Sequence, residues 1–264
     1  MIQRFNTDRP GDLAPLLNRQ NDASPRPGAF PRRTVYGRAP GLIPVGEAMP
    51  DKLVQPGDYK EVIAECEADE VFALYHQRAS WAPPGIAWDQ DGLNYCWAWG
   101  CTAALMDLRS REGKPTVHLS PVSLGWTVNW RNDGNYLESA IGGLRERGAC
   151  SMEFTPDPHS LRPNRFKSGW EADALKYRLG EVWDCDPQKM IQHALTILAT
   201  GTPLYIAYNW WGHALECVGL RWDERELNNV VWIIRNSHGE DDVIELTGTR
   251  GVPDEAYGLR ASLT

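Results

Sequence analysis

Cys96 closes the run Gln90-Asp91-Gly92-Leu93-Asn94-Tyr95-Cys96 and heads Trp97-Ala98-Trp99, with a helix expected from about Trp97 to Arg109. A thiol at a helix N-terminus faces unpaired backbone N–H groups carrying partial positive charge, which favours the thiolate. Cysteine needs this help, because at its ordinary pKa of roughly 8.5 it is a weak nucleophile. More than a hundred residues later, His213 lies in Gly212-His213-Ala214-Leu215-Glu216-Cys217-Val218-Gly219 and Asn236 in Ile234-Arg235-Asn236-Ser237-His238-Gly239. His213 can take the thiol proton and later return it to a leaving amine. The amide oxygen of Asn236 can accept the other ring N–H and fix the tautomer. Gln90, six residues before the thiol, can donate with the backbone N–H of Cys96 to an oxyanion, and such donors typically supply roughly 2.7–4 kcal/mol. A chain that uses these four residues together must bring one helix end against two strands.

Taken singly, a Cys, a His or an Asn reads as a small core residue, a satisfied ring or a turn amide. Taken together and in this order, the Gln-to-Cys offset, the Trp after the thiol and the two later motifs resemble the papain-like cysteine peptidases. His118-Leu119-Ser120-Pro121-Val122-Ser123-Leu124 is similar to the family's Leu-Ser-x-x-x-Leu helix. Gly134-Asn135-Tyr136-Leu137 is similar to its Gly-Gly segment ahead of another helix, and the stretch from Gly142 to Cys150 to a helix end with Gly148 as C-cap. The resemblance covers about Trp81 to Gly239.

That resemblance implies an α+β, two-lobed papain-like fold occupying residues 81–264. A helical lobe would span about 86–180, a crossover helix about Pro187 to Ala199, and an antiparallel β-barrel-like lobe the chain from about Thr202, with Asn228-Asn229 as a turn. It implies a cysteine-type peptidase acting through a thioester at Cys96, with His213 as base and acid, Asn236 as its orienting partner and Gln90 as oxyanion donor. Gly134, Asn135, Trp211 and Gly212 would bind substrate, a peptide lying against them as an added strand. Asn135, in place of a second glycine, would narrow or redirect that groove. No metal or cofactor is implied. Three departures stand out: Leu93 occupies a usual disulfide position, Asn94-Tyr95 replaces Gly-Ser, and His238 replaces a Trp that shields the His–Asn bond. Trp210 or Trp211 would take over that shielding.

With 42% hydrophobic residues and 12 Trp, the chain can bury a sizeable core. No run approaches the roughly 18 apolar residues that span a bilayer, and the first residues lack an apolar signal core. A cytoplasmic protein is expected, with virion association as an alternative. The six cysteines (Cys66, Cys96, Cys101, Cys150, Cys185, Cys217) show neither CxxC nor zinc spacing and suit a reduced protein. His76, His118, His159 and His193 have no motif context, whereas His238 is expected beside Asn236.

The first fifty residues hold eight prolines, and seven arginines against four acidic residues give them a net +3; the formal −8 of the whole chain then leaves −11 for the rest. They are expected to form no helix of useful length and to make, with the residues up to 56, an extended arm. It serves either as a prosegment along the acidic body or through the cleft, or as a tether to a partner. Arg32-Arg33 is too sparse a cluster in an acidic chain to signal nucleic acid. A linking helix from Gly57 to about Gln77, within residues 57–80, and a domain entry at Ala82-Pro83-Pro84-Gly85 complete the reading. The expected partner is a peptide or protein substrate, with no nucleic acid and no membrane. Two other functions fit the same residues: a structural or assembly protein such as a phage virion component, and an amidase or cell-wall endopeptidase with the same thiol chemistry.

Overall fold

The helix headed by Cys96 organises the molecule, because it has no polar stripe. From Cys96 to Arg109 every residue of α3 (Cys96–Arg111) is buried, so it is enclosed on all sides, its polar Thr102, Asp107 and Arg109 included. The computed structural model describes residues 2–21, 29–32, 53–75, 88–128, 131–239 and 243–263. On one side of α3 pack α4 (Pro121–Val128) and α5 (Leu137–Glu146). On the other lie β3 (Leu204–Tyr208), β4 (His213–Trp222) and β7 (Glu255–Leu263).

These strands belong to a seven-stranded sheet of order β1-β6-β5-β4-β3-β7-β2, with β1 (Gln3–Asn6), β2 (Arg178–Asp184), β5 (Val230–Arg235) and β6 (Val243–Thr247). Every pairing is antiparallel except β1 with β6. Side chains alternate across β3: Tyr205 and Ala207 join the helical core around α3, while Leu204, Ile206 and Tyr208 join a second core on the other face. That second face is covered by α2 (Tyr59–Ala68) and α7 (Met190–Leu198), the latter preceded by a 3-10 turn, Pro187–Lys189, in the place of the expected crossover helix. α6 (Trp170–Ala174) precedes β2. The turn between β4 and β5 falls at Asn228 and Asn229, both at positive φ, a conformation asparagine tolerates better than most residues. Gly148 takes φ +75 after α5 and donates its N–H to Gly143 O.

Two expectations need correction. The N-terminal residues do build regular structure: β1 pairs in parallel with β6, and α1 (Pro10–Asn21) follows it. Pro10 sits at the first helical position, where its missing N–H costs nothing. Phe5 and Leu16 are buried in the second core, and Arg4 reaches Glu245 and Asp223. The linking helix is shorter than expected and ends at Ala68, because Glu70 adopts φ +52 and Val71 N–H turns back to Cys66 O, a C-terminal cap in the left-handed conformation. A separate 3-10 turn covers Ala73–Tyr75. The Ala82–Gly85 entry and His76 lie outside the described residues. All six cysteines are buried free thiols, and among the described residues no helix is long and apolar enough to cross a membrane.

Candidate active site

The site forms where the N-terminus of α3 meets the start of β4. Gly100 makes the approach possible: a Cβ there would lie 3.0 Å from the Leu215 backbone. One turn earlier, the backbone N–H of Ala214 reaches Cys96 Sγ at 3.4 Å. His213 opens β4 after the Asn209–Gly212 turn, which Gly212 closes at φ +61 with its N–H on Tyr208 O. β5 runs antiparallel to β4 with Arg235 opposite Glu216, and its continuation carries Asn236 and His238 alongside His213. Asn236 Oδ1 accepts His213 Nε2–H at 2.7 Å and also the Ser237 backbone N–H at 2.9 Å. The oxygen being acceptor only, Nε2 carries the proton and the neutral ring keeps its lone pair on Nδ1. Nδ1 is buried with no hydrogen-bond partner among the described residues.

Gln90 is tied to the same strand end. Its backbone N–H donates to Ser237 O at 2.9 Å, and Asp89 bridges His238. Its Oε1 accepts the Ser237 hydroxyl at 2.5 Å, and Nε2 donates to Leu93 O at 2.6 Å. These bonds fix the amide's orientation and leave a second N–H on Nε2. Ser237 thus holds both the backbone and the side chain of Gln90. It lay inside the quoted asparagine motif, but nothing in its type distinguished that task from an ordinary turn serine.

Rings enclose the imidazole. His238 stacks on it at 5.1 Å and 8°, and the Trp211 ring lies 4.6 Å away, itself stacked on Trp210. Asn94-Tyr95 is accommodated by different means. Asn94 N–H donates to Asn132 Oδ1 at 2.7 Å, and the Tyr95 ring occupies space that a Cβ on Gly125 would invade at 1.9 Å. Beneath the site, Arg235 is buried between Asp107 of α3 and Glu216 of β4, at 2.5 and 2.9 Å, tying helix to sheet. Of the other histidines, His159 Nε2 lies 2.8 Å from Asp89 O, and His193 Nδ1 accepts Asp186 N–H. His118 packs against Trp88.

The groove beside this site is filled by the chain itself. Ala29, only 3% exposed, donates its N–H to Gly212 O at 2.8 Å and bridges Asn135 in parallel register. Phe30 N–H donates to Asn135 O at 3.0 Å, and its ring meets Tyr136 edge-on at 5.3 Å. Ala29 and Phe30 therefore lie between the Gly134-Asn135 wall and the Trp211-Gly212 wall. The Asn135 side chain is tied to its neighbour's N–H at Tyr136, leaving the main-chain carbonyl to meet the arm.

Burial acts on both ionisable groups. Cys96 and His213 have no exposed surface. Burial pushes the Cys96 thiol up to about 12, although the N–H groups of Ala214, Trp97 and Cys96 itself pull it back. Burial, then the neighbouring His238, pushes His213 down to about 3 against the Asn236 bond. The helix N-terminus acts in the expected direction, but desolvation is the larger effect on both groups and disfavours the charged pair.

No protein-family model and no curated protein matches the sequence, but solved structures do. The procathepsin B S9 of Trypanosoma congolense matches with a TM-score of 0.57 and 14% identity over 90% of this chain and 87% of its own. Xylellain, a cysteine protease from Xylella fastidiosa, matches with 0.55 and 18% identity over 88% of this chain and 98% of its own. The digestive procathepsin L 3 of Tenebrio molitor larval midgut gives 0.50 and 16% identity over 76% and 88%. The chain has the α+β papain-like fold, as its motifs implied.

Proposed function

We propose that this chain is a cysteine peptidase, held latent by residues 29–32. The observation that carries the reading is the His213–Asn236 bond: it directs the ring proton to Nε2 and leaves the Nδ1 lone pair on the strand whose next N–H contacts the Cys96 sulfur. In the uncovered site His213 takes the Cys96 proton and sulfur attacks the scissile carbonyl carbon. The developing oxyanion receives the second Gln90 Nε2–H and the Cys96 backbone N–H. The C–N bond breaks as His213 protonates the leaving amine. Water, deprotonated by His213, then cleaves the thioester and Cys96 recovers its proton. Asn236 keeps the imidazolium oriented throughout.

The arm supports latency by two means: it occupies both walls of the groove, and it removes the water that charge separation requires. The test is alkylation of the full chain with iodoacetamide and a peptidyl epoxide. Ala29→Pro/Phe30→Ala deletes the N–H on Gly212 O and the ring contact with Tyr136, and should speed modification of Cys96 at least tenfold. Cys96→Ala should abolish it. A loosened arm with Cys96 no more reactive than the other five thiols would refute the peptidase.

A further inference from the structure

Two residues beyond Phe30, the Arg32 side chain leaves the groove and enters a pocket built from three elements. Its guanidinium pairs with Asp184 at the end of β2, the two side chains 11% and 1% exposed, and lies 5.4 Å from the Tyr257 ring centroid. Asp184 and Tyr257 are register partners on β2 and β7. Glu255, two residues before Tyr257 on the same face of β7, is opposite Ala207 of β3 and 1% exposed. Glu138, in the first turn of α5 and three residues after Asn135, is 4% exposed. Burial, and next the charge of Glu138, raise Glu255 to about 8, while Tyr257 and Arg32 act against this. Three carboxyl groups thus converge out of water at the end of the groove, a costly arrangement that a cation relieves.

We propose that this pocket selects an arginine side chain of the peptide substrate, and that Arg32 is its intramolecular occupant. The assignment rests on the peptidase reading and names the substrate class of that site. Carboxylates arriving from β2, β7 and α5 suit a planar fork that donates in several directions, and the Tyr257 ring suits a guanidinium face better than a compact ammonium. The arm's main chain and its arginine then use the contacts a substrate uses, so emptying the groove also exposes an acidic pocket.

The full chain carrying Arg32→Ala together with the arm-loosening Ala29→Pro/Phe30→Ala provides the test. Epoxide probes bearing arginine, leucine or glutamate should modify its Cys96 in that order, arginine on the order of 100-fold faster than leucine. Adding Glu255→Gln, nearly isosteric, should cut the advantage at least tenfold above pH 8, where Glu255 is ionised. Nα-acetyl-arginine amide should raise the melting temperature of Arg32→Ala, while Nα-acetyl-leucine amide should not; this readout needs no reactive thiol. If iodoacetamide modifies Cys96 but the leucine probe matches the arginine probe, the pocket assignment is overturned and the peptidase stands. If arginine amide stabilises the variant no more than leucine amide, the pocket falls on binding alone. If Cys96 resists every reagent in that triple variant, the peptidase falls and the substrate assignment with it.

Discussion

Gly100 of α3 lies against the backbone of Leu215 so closely that a Cβ would stand 3.0 Å from its Cα and carbonyl carbon. This contact sets the distance between the helix that carries the thiol and the strand that carries the imidazole. Helix and strand are both well formed without it; their separation is not.

Gly100→Ala should therefore leave a folded protein with a damaged site. Overpacking of this kind costs about 1–3 kcal/mol, measurable by urea unfolding. Cys96 alkylation in the loosened-arm background should fall at least tenfold, because Ala214 N–H withdraws from the sulfur. Normal reactivity together with lost stability would mean that the contact supports packing alone.

Asn236→Ala leaves the buried Nε2–H of His213 without an acceptor, at about 1–3 kcal/mol of stability. It also frees the ring to place its proton on Nδ1. The pH profile of epoxide modification should lose amplitude in Asn236→Ala and regain most of it in Asn236→Asp, where a carboxylate oxygen accepts the same proton. An unchanged profile in the alanine variant would remove Asn236 from the mechanism.

Acid should release the arm. His213 sits at about 3 when covered, against an ordinary value of 6.5, so between those limits the open form holds a proton that the covered form lacks. Each pH unit of fall within that window shifts the balance toward opening by about 1.4 kcal/mol, the covered state being fully favoured only above 6.5. Limited proteolysis within residues 22–32 by pepsin at pH 4 to 5 should be much faster than expected from pepsin's own pH dependence, and His213→Gln should flatten the effect. Equal protection in both proteins at every pH would exclude this coupling.

Tyr95 and Gly125 should be energetically coupled, since a Cβ on Gly125 would lie 1.9 Å from Tyr95 Cε2. Gly125→Ala alone overpacks, and Tyr95→Ala alone leaves a cavity costing about 3–5 kcal/mol. The double variant should be more stable than the sum of the two losses by roughly 1 kcal/mol or more, read from a double-mutant cycle in urea. Additive losses would show that the ring can move aside freely.

The Cys96 helix, the β-forming runs around His213 and Asn236, and the Gly148 cap follow from neighbouring residues, and the resemblance of the motifs to the papain-like peptidases implied the two-lobed architecture. The N-terminal strand was illegible, because β1 gains its hydrogen bonds from β6, some 240 residues away, and proline content spoke against order. Ser237 and Arg32 were equally hidden as types, since a serine in a turn and an arginine in a proline-rich arm carry no mark of the buried partners they meet.

What the chain fixes by itself is which atoms can do chemistry: a sulfur at a helix N-terminus, an imidazole, two amides. Only the tertiary structure decides whether they are charged. Helix dipole and hydrogen bonds favour a thiolate from within a few residues, but desolvation depends on everything packed around the sulfur, including residues 29–32. Burial outweighs these local effects in the covered molecule and disfavours the charge that the helix end favours.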